Sequence, residues 1–268
     1  MNIKVTTLVE NYVKSRGVVA EHGLSMLIEV EDNLLLFDTG ASNLFVENAV
    51  ALRKCIKEVD YLILSHGHSD HTGGLKTFLD INKKAKIICK SSILIPKYRG
   101  TRENGICNID EKELDRFIFI DELAEVVKGV YAFPNIEIKN YNDTHFSNFE
   151  LMTENGRIPD SFNDELAVVI ENEDKISILS ACSHQGITNI INAVRGYFPS
   201  HKFNYLVGGF HLVDSSYEDV TFISDFLRND MPEHIGVCHC TGLDGYAVFR
   251  NEFKENVFYN YCGSELIL

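Results

Sequence analysis

The spacing of apolar side chains along the chain predicts a mixture of strands and helices. Short runs rich in leucine and β-branched residues, bounded by polar turns, are typical of strands. They occur at Ile3–Val9, Leu24–Val30, Leu34–Asp38, Tyr61–Ser65, Lys86–Cys89, Leu166–Ile170, Ile176–Leu179, Phe203–Val207, Ile235–His239 and Val257–Tyr261. Apolar residues three and four positions apart predict helices at Asn43–Cys55, Gly74–Ile81, Ile187–Tyr197, Tyr217–Arg228 and Gly245–Phe253. The pattern indicates an α/β protein.

The order of these elements favours one domain over residues 1–268. The first strands follow one another with few helices, and later strands alternate with helices, which is typical of a sheet sandwich covered by helices. Residues 91–150 show less regular periodicity, and we predict that they form an irregular insertion. This insertion carries a basic segment, Lys97–Arg102, and is expected to lie near a binding site.

Composition restricts the partners of the protein. The formal net charge of −14 at pH 7 disfavours attraction to DNA, RNA or an anionic membrane. No apolar run reaches the roughly 18 residues of a membrane span, and the first residues lack the apolar core of a signal peptide. The seven cysteines are scattered and odd in number, so we expect reduced thiols. We predict a cytoplasmic protein with a small-molecule partner, no nucleic-acid or membrane partner, and an open oligomeric state.

The strongest chemical signal follows the predicted strand that ends at Ser65. Three histidines and an aspartate, His66, His68, Asp70 and His71, lie within six residues. Side chains two positions apart point to one side of an extended chain, so His66 and His68 can share a metal ion. Asp70 and His71 follow where the chain turns, and they can reach a second ion. Zinc, iron and manganese accept such nitrogen and oxygen ligands, whereas a histidine-rich surface loop is disfavoured by the position at a strand end.

Two motifs resemble the metallo-β-lactamase superfamily. Residues 65–75, SHGHSDHTGGL, are similar to its HxHxDH signature, and residues 36–40, LFDTG, resemble its aspartate-bearing turn, which supports the metal loop. The resemblance implies a four-layer αβ/βα sandwich with two divalent ions at one edge, zinc in the first place and iron or manganese as alternatives. Residues 21–25, 181–186, 208–212 and 239–242 resemble one subgroup of metal-dependent hydrolases, which includes proteins similar to dihydropterin–ribofuranosylaminobenzene phosphate synthase.

The resemblance also implies ligands beyond the histidine cluster. The superfamily usually adds a third-motif histidine, a bridging aspartate and a last histidine, but the segment after Ile176–Leu179 lacks the Gly-Asp bridge. His184 is therefore the candidate ligand in this segment. Cys182 lies nearest the missing bridge and is either a ligand or a buried inert thiol. Asp164 is either a ligand or a surface turn residue.

Two further strand ends carry candidate site residues. His239 is expected to bind metal, and strand alternation would place Cys238 and Cys240 on the opposite face, so a joint Cys-His-Cys site is not expected there. His211 follows a pair of glycines and is expected to contact the substrate or a metal, with a structural role as the alternative. His22 is a candidate for lining the pocket. The histidines without a pattern around them are expected at the surface: His145, His201 and His234.

The chemistry that the resemblance implies is attack by a metal-bound hydroxide. Two divalent ions about 3.5–4 Å apart lower the pKa of a shared water towards about 7. Asp70 is the candidate catalytic residue, because it can orient that water or accept its proton. The segment 183–186 is predicted to open a helix whose N–H groups suit a phosphate, with Ser183 as a substrate contact or as a plain helix cap. The basic segment Lys97–Arg102 is either a second anion contact or a solvated loop.

Three functions are compatible with this sequence. The first is a hydrolase that acts on a small ester, lactone or phosphoester. The second is a synthase-type transferase that joins a pterin to an aminobenzene ribotide phosphate, which requires an aromatic slot and a second substrate site. The third is a metal- or ligand-binding sensor whose altered bridge position removes catalysis. We favour the hydrolase, with a phosphorylated small molecule among its candidate substrates.

Overall fold

A computed structural model describes residues 1–106 and 109–268. Contacts divide the chain into two compact units. The first unit comprises residues 1–121, 146–166 and 261–267, and the second comprises residues 122–145, 167–260 and 268. Because one domain can contain two such units, the single domain over 1–268 stays a prediction.

The predicted strands and helices are all present, with ends moved by a few residues. The strands are β1 (Ile3–Val9), β2 (Ser25–Val30), β3 (Asn33–Phe37), β4 (Tyr61–Ile63), β5 (Lys86–Cys89), β6 (Lys97–Arg99), β7 (Arg102–Glu103), β8 (Phe117–Phe119), β9 (Ala124–Val127), β10 (Val130–Phe133), β11 (Phe149–Thr153), β12 (Gly156–Pro159), β13 (Ala167–Asn172), β14 (Lys175–Ser180), β15 (Lys202–Gly208), β16 (His234–Val237), β17 (Val257–Tyr259) and β18 (Glu265–Ile267). The helices are α1 (Leu44–Ala51), α2 (Ser69–Thr72), α3 (Leu75–Ile81), α4 (Glu111–Leu114), α5 (Ile187–Tyr197), α6 (Tyr217–Asn229) and α7 (Gly242–Phe253).

The first unit is built on a mixed sheet with the strand order β18-β1-β2-β3-β4-β5-β8. Strands β3, β4, β5 and β8 are parallel, and α1 and α3 follow β3 and β4 along the chain. Phe45 on α1 and Phe78 on α3 are fully buried in the apolar core of this unit. Phe37 pairs with Ile63, so β3 and β4 end side by side. The residues that follow these two strands therefore meet at one edge of the sheet.

The second unit is built on a sheet with the order β17-β16-β15-β14-β13-β10-β9. Strands β14, β15, β16 and β17 are parallel. Gly208 of β15 pairs with Ser180 of β14 and with Val237 of β16. The carboxyl ends of these three strands are consequently level, and the three loops that follow them leave the sheet at one edge.

Residues 91–150 are more regular than predicted. They include β6 to β10, α4 and the first residues of β11, and they contribute to each of the three sheets found in the described residues, which exclude 107 and 108. The third sheet has the order β12-β11-β6-β7 and belongs to the first unit. Because these strands are two to five residues long, they are too short to show a clear period of two in the sequence.

The longest helix in the described part of the chain, α6, has 13 residues. A membrane span takes about 20. Within residues 1–106 and 109–268, no helix combines the length and the apolar character that crossing a membrane requires.

Candidate metal centre

Asp38 fixes the loop that carries the histidine cluster. It follows β3 in a left-handed conformation, with a φ of 59°, and its side chain is fully buried. Its Oδ1 accepts a hydrogen bond from the Ser65 N–H at 2.7 Å, and its Oδ2 accepts one from the Ser65 hydroxyl at 2.6 Å. Oδ2 also lies 2.8 Å from Nδ1 of His71. Because Nδ1 of His71 faces Asp38, Nε2 is the atom that can bind a metal.

The rings of His66, His68 and His71 come together after β4. The ring centroids of His66 and His68 are 4.7 Å apart, and those of His66 and His71 are 4.3 Å apart. Ligand nitrogens of His66 and His68 lie within 4.8 Å of each other, and so do those of His66 and His71. All three side chains are buried. The first unit therefore places three imidazoles where they can hold a metal ion.

Asp70 lies at the more open side of this cluster, on the short helix α2. Its Oδ2 is 3.7 Å from Nε2 of His71 and 3.3 Å from Nε2 of His22. The Asp70 side chain is 19% exposed, whereas that of His22 is 71% exposed. The predicted catalytic carboxylate therefore lies beside a candidate ligand and is partly open to solvent, and His22 is its neighbour.

A buried lysine and two buried aspartates support the loop at Gly67. Nζ of Lys97 lies 2.6 Å from Asp160 and 2.9 Å from Oδ1 of Asp164. Oδ2 of Asp164 accepts the N–H of Gly67 at 2.7 Å. Burial alone would lower the pKa of Lys97, but the two carboxylates outweigh it and raise that pKa, whereas burial raises the pKa of Asp164. A side chain at Gly67 would meet the backbone oxygen of Ile93 at 2.9 Å, so only glycine fits here.

This network bears on the alternatives that the sequence left open for Lys97 and Asp164. Lys97 is 1% exposed and bonded to carboxylates, so it belongs to neither a solvated loop nor an anion site, while Arg99 and Arg102 of the same segment are exposed. Asp164 is 1% exposed and so is not a surface turn residue. Both of its oxygens are bonded inside the unit, which favours support of the loop over direct metal binding.

The loops after β14 and β15 bring three candidate residues of the second unit together. Ligand atoms of Cys182, His184 and His211 lie within 4.8 Å of one another. The rings of His184 and His211 have centroids 4.3 Å apart. His211 has a φ of 53°, which is a left-handed backbone conformation. The predicted ligand and the predicted substrate contact are thus neighbours in this unit.

The loop after β16 corrects one part of the prediction about its cysteines, the placement of Cys240 on the face opposite His239. Ligand atoms of Cys182, His239 and Cys240 lie within 4.8 Å of one another. Strand alternation does not apply, because β16 ends at Val237 and residues 239–241 form a 3₁₀ turn in which His239 has a φ of 50°. A cluster of two thiols and an imidazole therefore exists, and its second thiol is that of Cys182, which follows β14, rather than that of Cys238.

Several groups act on the thiol of Cys240 in this cluster. Burial opposes its ionisation, but hydrogen bonds with Cys182 and His211 and the charge of His239 lower the pKa of Cys240 well below its usual range. The backbone N–H of His211 donates to its sulfur at 3.3 Å. By contrast, burial raises the pKa of Cys89 and Cys262 to about 12, which keeps those thiols protonated and inert.

Ser183 and the start of α5 are engaged inside the second unit. The Ser183 hydroxyl donates to the Gly209 carbonyl at 2.7 Å and lies 2.7 Å from the Ser180 hydroxyl, which favours a structural role over the predicted substrate contact. The N–H and the hydroxyl of Thr188 both donate to Oδ2 of the buried Asp143 at 2.7 Å. A carboxylate of the chain thus occupies the helix start, which argues against the predicted phosphate there.

His145 is a neighbour of this cluster that the sequence did not identify. Its N–H donates to the His184 carbonyl at 2.8 Å, and its own carbonyl lies 3.1 Å from Nδ1 of His184. Its ring centroid is 5.1 Å from that of His211. It is only partly exposed, contrary to the predicted surface position. No pattern in the sequence surrounds His145, so only its place in the fold reveals it.

The donor set fits a divalent metal. Burial, followed by the charges of His71 and His68, lowers the pKa of His66 well below its usual range, so its imidazole is held in the neutral form that binds metals. Neutral imidazoles with an adjacent carboxylate suit zinc, iron or manganese. The assignment of His184 and His239 as further ligands stays a prediction.

Comparison with known proteins identifies the fold. The profile of the metallo-β-lactamase superfamily matches residues 18–140. A 7,8-dihydropterin-6-methyl-4-(β-D-ribofuranosyl)-aminobenzene-5′-phosphate synthase of Methanocaldococcus jannaschii is 32% identical, over 95% of this chain and 93% of the relative.

Solved structures agree with this assignment. Tm1679, a metal-dependent hydrolase of the β-lactamase superfamily, superposes with a TM-score of 0.87 at 28% identity, over 99% of both chains. A diphosphatase of the PhnP family superposes with a TM-score of 0.57 at 14% identity over 100% of this chain and 98% of that chain, and this likeness concerns the fold alone. The predicted α/β fold class is confirmed, and the chain belongs to the metallo-β-lactamase superfamily.

Proposed function

We propose that the protein is a metal-dependent hydrolase that acts on a small ester, lactone or phosphoester. The observation that carries this proposal is the cluster of His66, His68, Asp70 and His71, held in place by the buried carboxylate of Asp38. Superfamily membership supports a metal-dependent, hydrolase-like site. The partner we expect is a small molecule, with phosphorylated compounds among the candidates.

His66, His68 and His71 would hold the metal ions. Divalent metals at such sites act as Lewis acids and lower the pKa of water. Oδ2 of Asp38 lies 2.8 Å from Nδ1 of His71, and this contact orients the ring. A carboxylate partner also raises the basicity of the histidine as a metal ligand. Zinc is the first choice for these nitrogen ligands, and iron and manganese remain alternatives.

Asp70 would orient the attacking water or accept its proton. Its carboxylate lies 3.7 Å from Nε2 of His71 and is partly open to solvent, so it can reach both a ligand and the water. His22, 3.3 Å from Asp70 and largely exposed, is placed to pass a proton to solvent or to contact the substrate. His211 remains the proposed substrate contact of the second unit.

A second candidate function is a synthase. The relative that is 32% identical over 95% of this chain carries the name of a synthase that forms a pterin-linked aminobenzene ribotide phosphate. Such an enzyme would use the same ligands but would need sites for two substrates. The two functions differ in their product, because water is the second reactant only in the hydrolase.

The decisive experiment is metal analysis followed by a substrate screen. The purified protein, loaded in turn with zinc, iron or manganese, is assayed with phosphoesters, lactones and thioesters, and separately with a dihydropterin and an aminobenzene ribotide phosphate. We expect hydrolysis that is lost in Asp70→Asn and kept in Asp32→Asn, since Asp32 is exposed in the turn between β2 and β3. Joining of the two synthase substrates without hydrolysis would favour the synthase. Metal binding without any turnover would identify a sensor and overturn the hydrolase.

A further inference from the structure

Two cysteines of the second unit lie among its histidines. Sγ of Cys182, Sγ of Cys240 and a ring nitrogen of His239 lie within 4.8 Å of one another. Cys182 also belongs to a second group, in which its sulfur and the ligand nitrogens of His184 and His211 lie within the same distance of one another. These residues follow β14, β15 and β16, whose carboxyl ends are level. Sulfur and nitrogen donors from three loops therefore converge at one edge of the sheet, and Cys182 is common to both groups.

Hydrogen bonds between the three loops hold these donors in place. The N–H of Gly209 donates to the Ala181 carbonyl at 3.1 Å, and the N–H of Leu212 donates to the Cys240 carbonyl at 2.8 Å. The N–H of His211 donates to Sγ of Cys240 at 3.3 Å. The first atom of a side chain at Gly209 would lie 2.5 Å from that sulfur, so glycine leaves room for it. A ligand that binds here therefore has little backbone left to order, which favours binding.

The charges of this group suit a divalent cation. Cys182, Cys240 and His239 are all buried, and burying an isolated charge is costly, so the ligands must balance the charge of an ion bound here. Two thiolates balance the two positive charges of a divalent ion, and a neutral imidazole adds a third ligand without further charge. A thiol that only fills space in a core needs neither a second sulfur nor an imidazole beside it. The donor set therefore fits a metal ion better than it fits a packing role alone.

We propose that Cys182, Cys240 and His239 bind a divalent metal ion through two sulfur atoms and one nitrogen. The sulfur of Cys182, which also lies beside His184, is the ligand that two metal positions of the second unit can share. Thiolates select zinc, whereas manganese prefers oxygen ligands, so this unit should bind zinc in preference to manganese. The inference goes beyond the proposed function, because it concerns thiols that the hydrolase proposal does not use.

Titration with cobalt(II) tests the sulfur ligands without any turnover. A bond between cobalt(II) and a thiolate produces a charge-transfer band in the near ultraviolet, whereas the visible bands of the ion report cobalt bound by any ligands. The purified protein, kept reduced, is titrated with cobalt(II) chloride, and both regions of the absorption spectrum are recorded. We expect the near-ultraviolet band to appear, to disappear when zinc displaces the cobalt, and to persist when the same amount of manganese is added.

Serine variants assign the band to particular cysteines. Cys182→Ser and Cys240→Ser keep the size of the side chain but remove one sulfur each, so each should lose part of the band, and the double variant should lose all of it. A lost ligand should weaken cobalt binding at least as much as a lost supporting residue, by about 10–100-fold. The matched control is Cys238→Ser, a buried neighbour outside both groups, and Cys55→Ser controls for an exposed thiol. Both controls should keep the band, and circular dichroism checks that each variant folds.

The outcomes separate this ligand set from the proposed function. Visible cobalt bands without the near-ultraviolet band, or no cobalt binding at all, would overturn the sulfur ligands, even in a protein that hydrolyses a substrate. A band that survives in the double variant, or that Cys238→Ser removes to the same extent, would overturn the assignment to Cys182 and Cys240. A band that depends on both cysteines, in a protein that hydrolyses nothing, would support the ligand set while removing the hydrolase.

Discussion

The substitution Lys97→Met tests the support beneath the metal loop. Methionine keeps an unbranched, flexible side chain, so the change mainly deletes the ammonium group. Asp160 and Asp164, each 1% exposed, would then remain as two buried carboxylates without the cation between them. Removing one partner of a buried ion pair costs about 3–5 kcal/mol of unfolding free energy. We expect a loss of that size at pH 7.

The loss should depend on pH in a defined direction. Burial already raises the pKa of Asp164, and the charge of Lys97 opposes that shift, so the pKa rises further in the variant. A carboxyl group with a raised folded pKa binds its proton more tightly in the folded state, and the resulting stability is lost as pH rises through that pKa. The deficit of Lys97→Met relative to the unchanged protein should therefore shrink as pH falls from about 7 to about 5.

Urea unfolding followed by circular dichroism measures the effect. The matched control is Lys54→Met, which removes a lysine that pairs with Glu29 and Glu265 in the same unit. Because these two carboxylates are partly exposed, the control should lose only about 0–1 kcal/mol. A loss for Lys97→Met no larger than that of the control, or a deficit that grows as pH falls, would refute the reasoning.

Four further outcomes follow from the site. His66→Ala or His68→Ala should each remove at least one metal ion per chain, since each deletes an imidazole ligand, and unchanged stoichiometry by elemental analysis in both would contradict the assignment. Asp70→Asn should abolish turnover without changing the circular dichroism spectrum, because asparagine cannot accept a proton; a near-normal kcat would exclude that role. Asp38→Asn should weaken zinc affinity about 10–100-fold in competition with a chelator, and an affinity like that of the unchanged protein would show that the support is dispensable. Asp143→Ala should lower the unfolding free energy by about 1–2 kcal/mol through loss of the cap on α5, and unchanged urea unfolding would show that the helix start does not need it.

The metal loop could be predicted because its residues are close along the chain. His66, His68 and His71 fall within six positions after β4. Asp38 follows β3, and because β3 and β4 are parallel neighbours, their ends bring Asp38 beside the histidines. The support of Gly67 could not be predicted in the same way. Lys97 and its partners Asp160 and Asp164 are 63 and 67 residues apart, and no periodicity relates them.

Two other differences have local causes. The alternation rule failed at His239 because the strand ends two residues earlier, and the rule holds only within extended chain. The phosphate predicted at α5 assumed unoccupied N–H groups, whereas the N–H of Thr188 donates to the carboxylate of Asp143, which lies more than 40 positions earlier in the chain. In both cases the segment was interpreted from its own sequence, without the residues that the fold brings next to it.

Asp38 in the first unit, and Ser183, His211 and His239 in the second, have left-handed backbone conformations with φ between 50° and 59° that lower the stability of each unit. A residue other than glycine in this region costs on the order of 1–3 kcal/mol. Glycine would relieve that strain at each position but would remove a carboxylate, a hydroxyl or an imidazole. Selection for thermal stability alone would therefore favour the loss of these side chains. Thermostable variants that keep activity should owe their added stability to substitutions elsewhere in the chain.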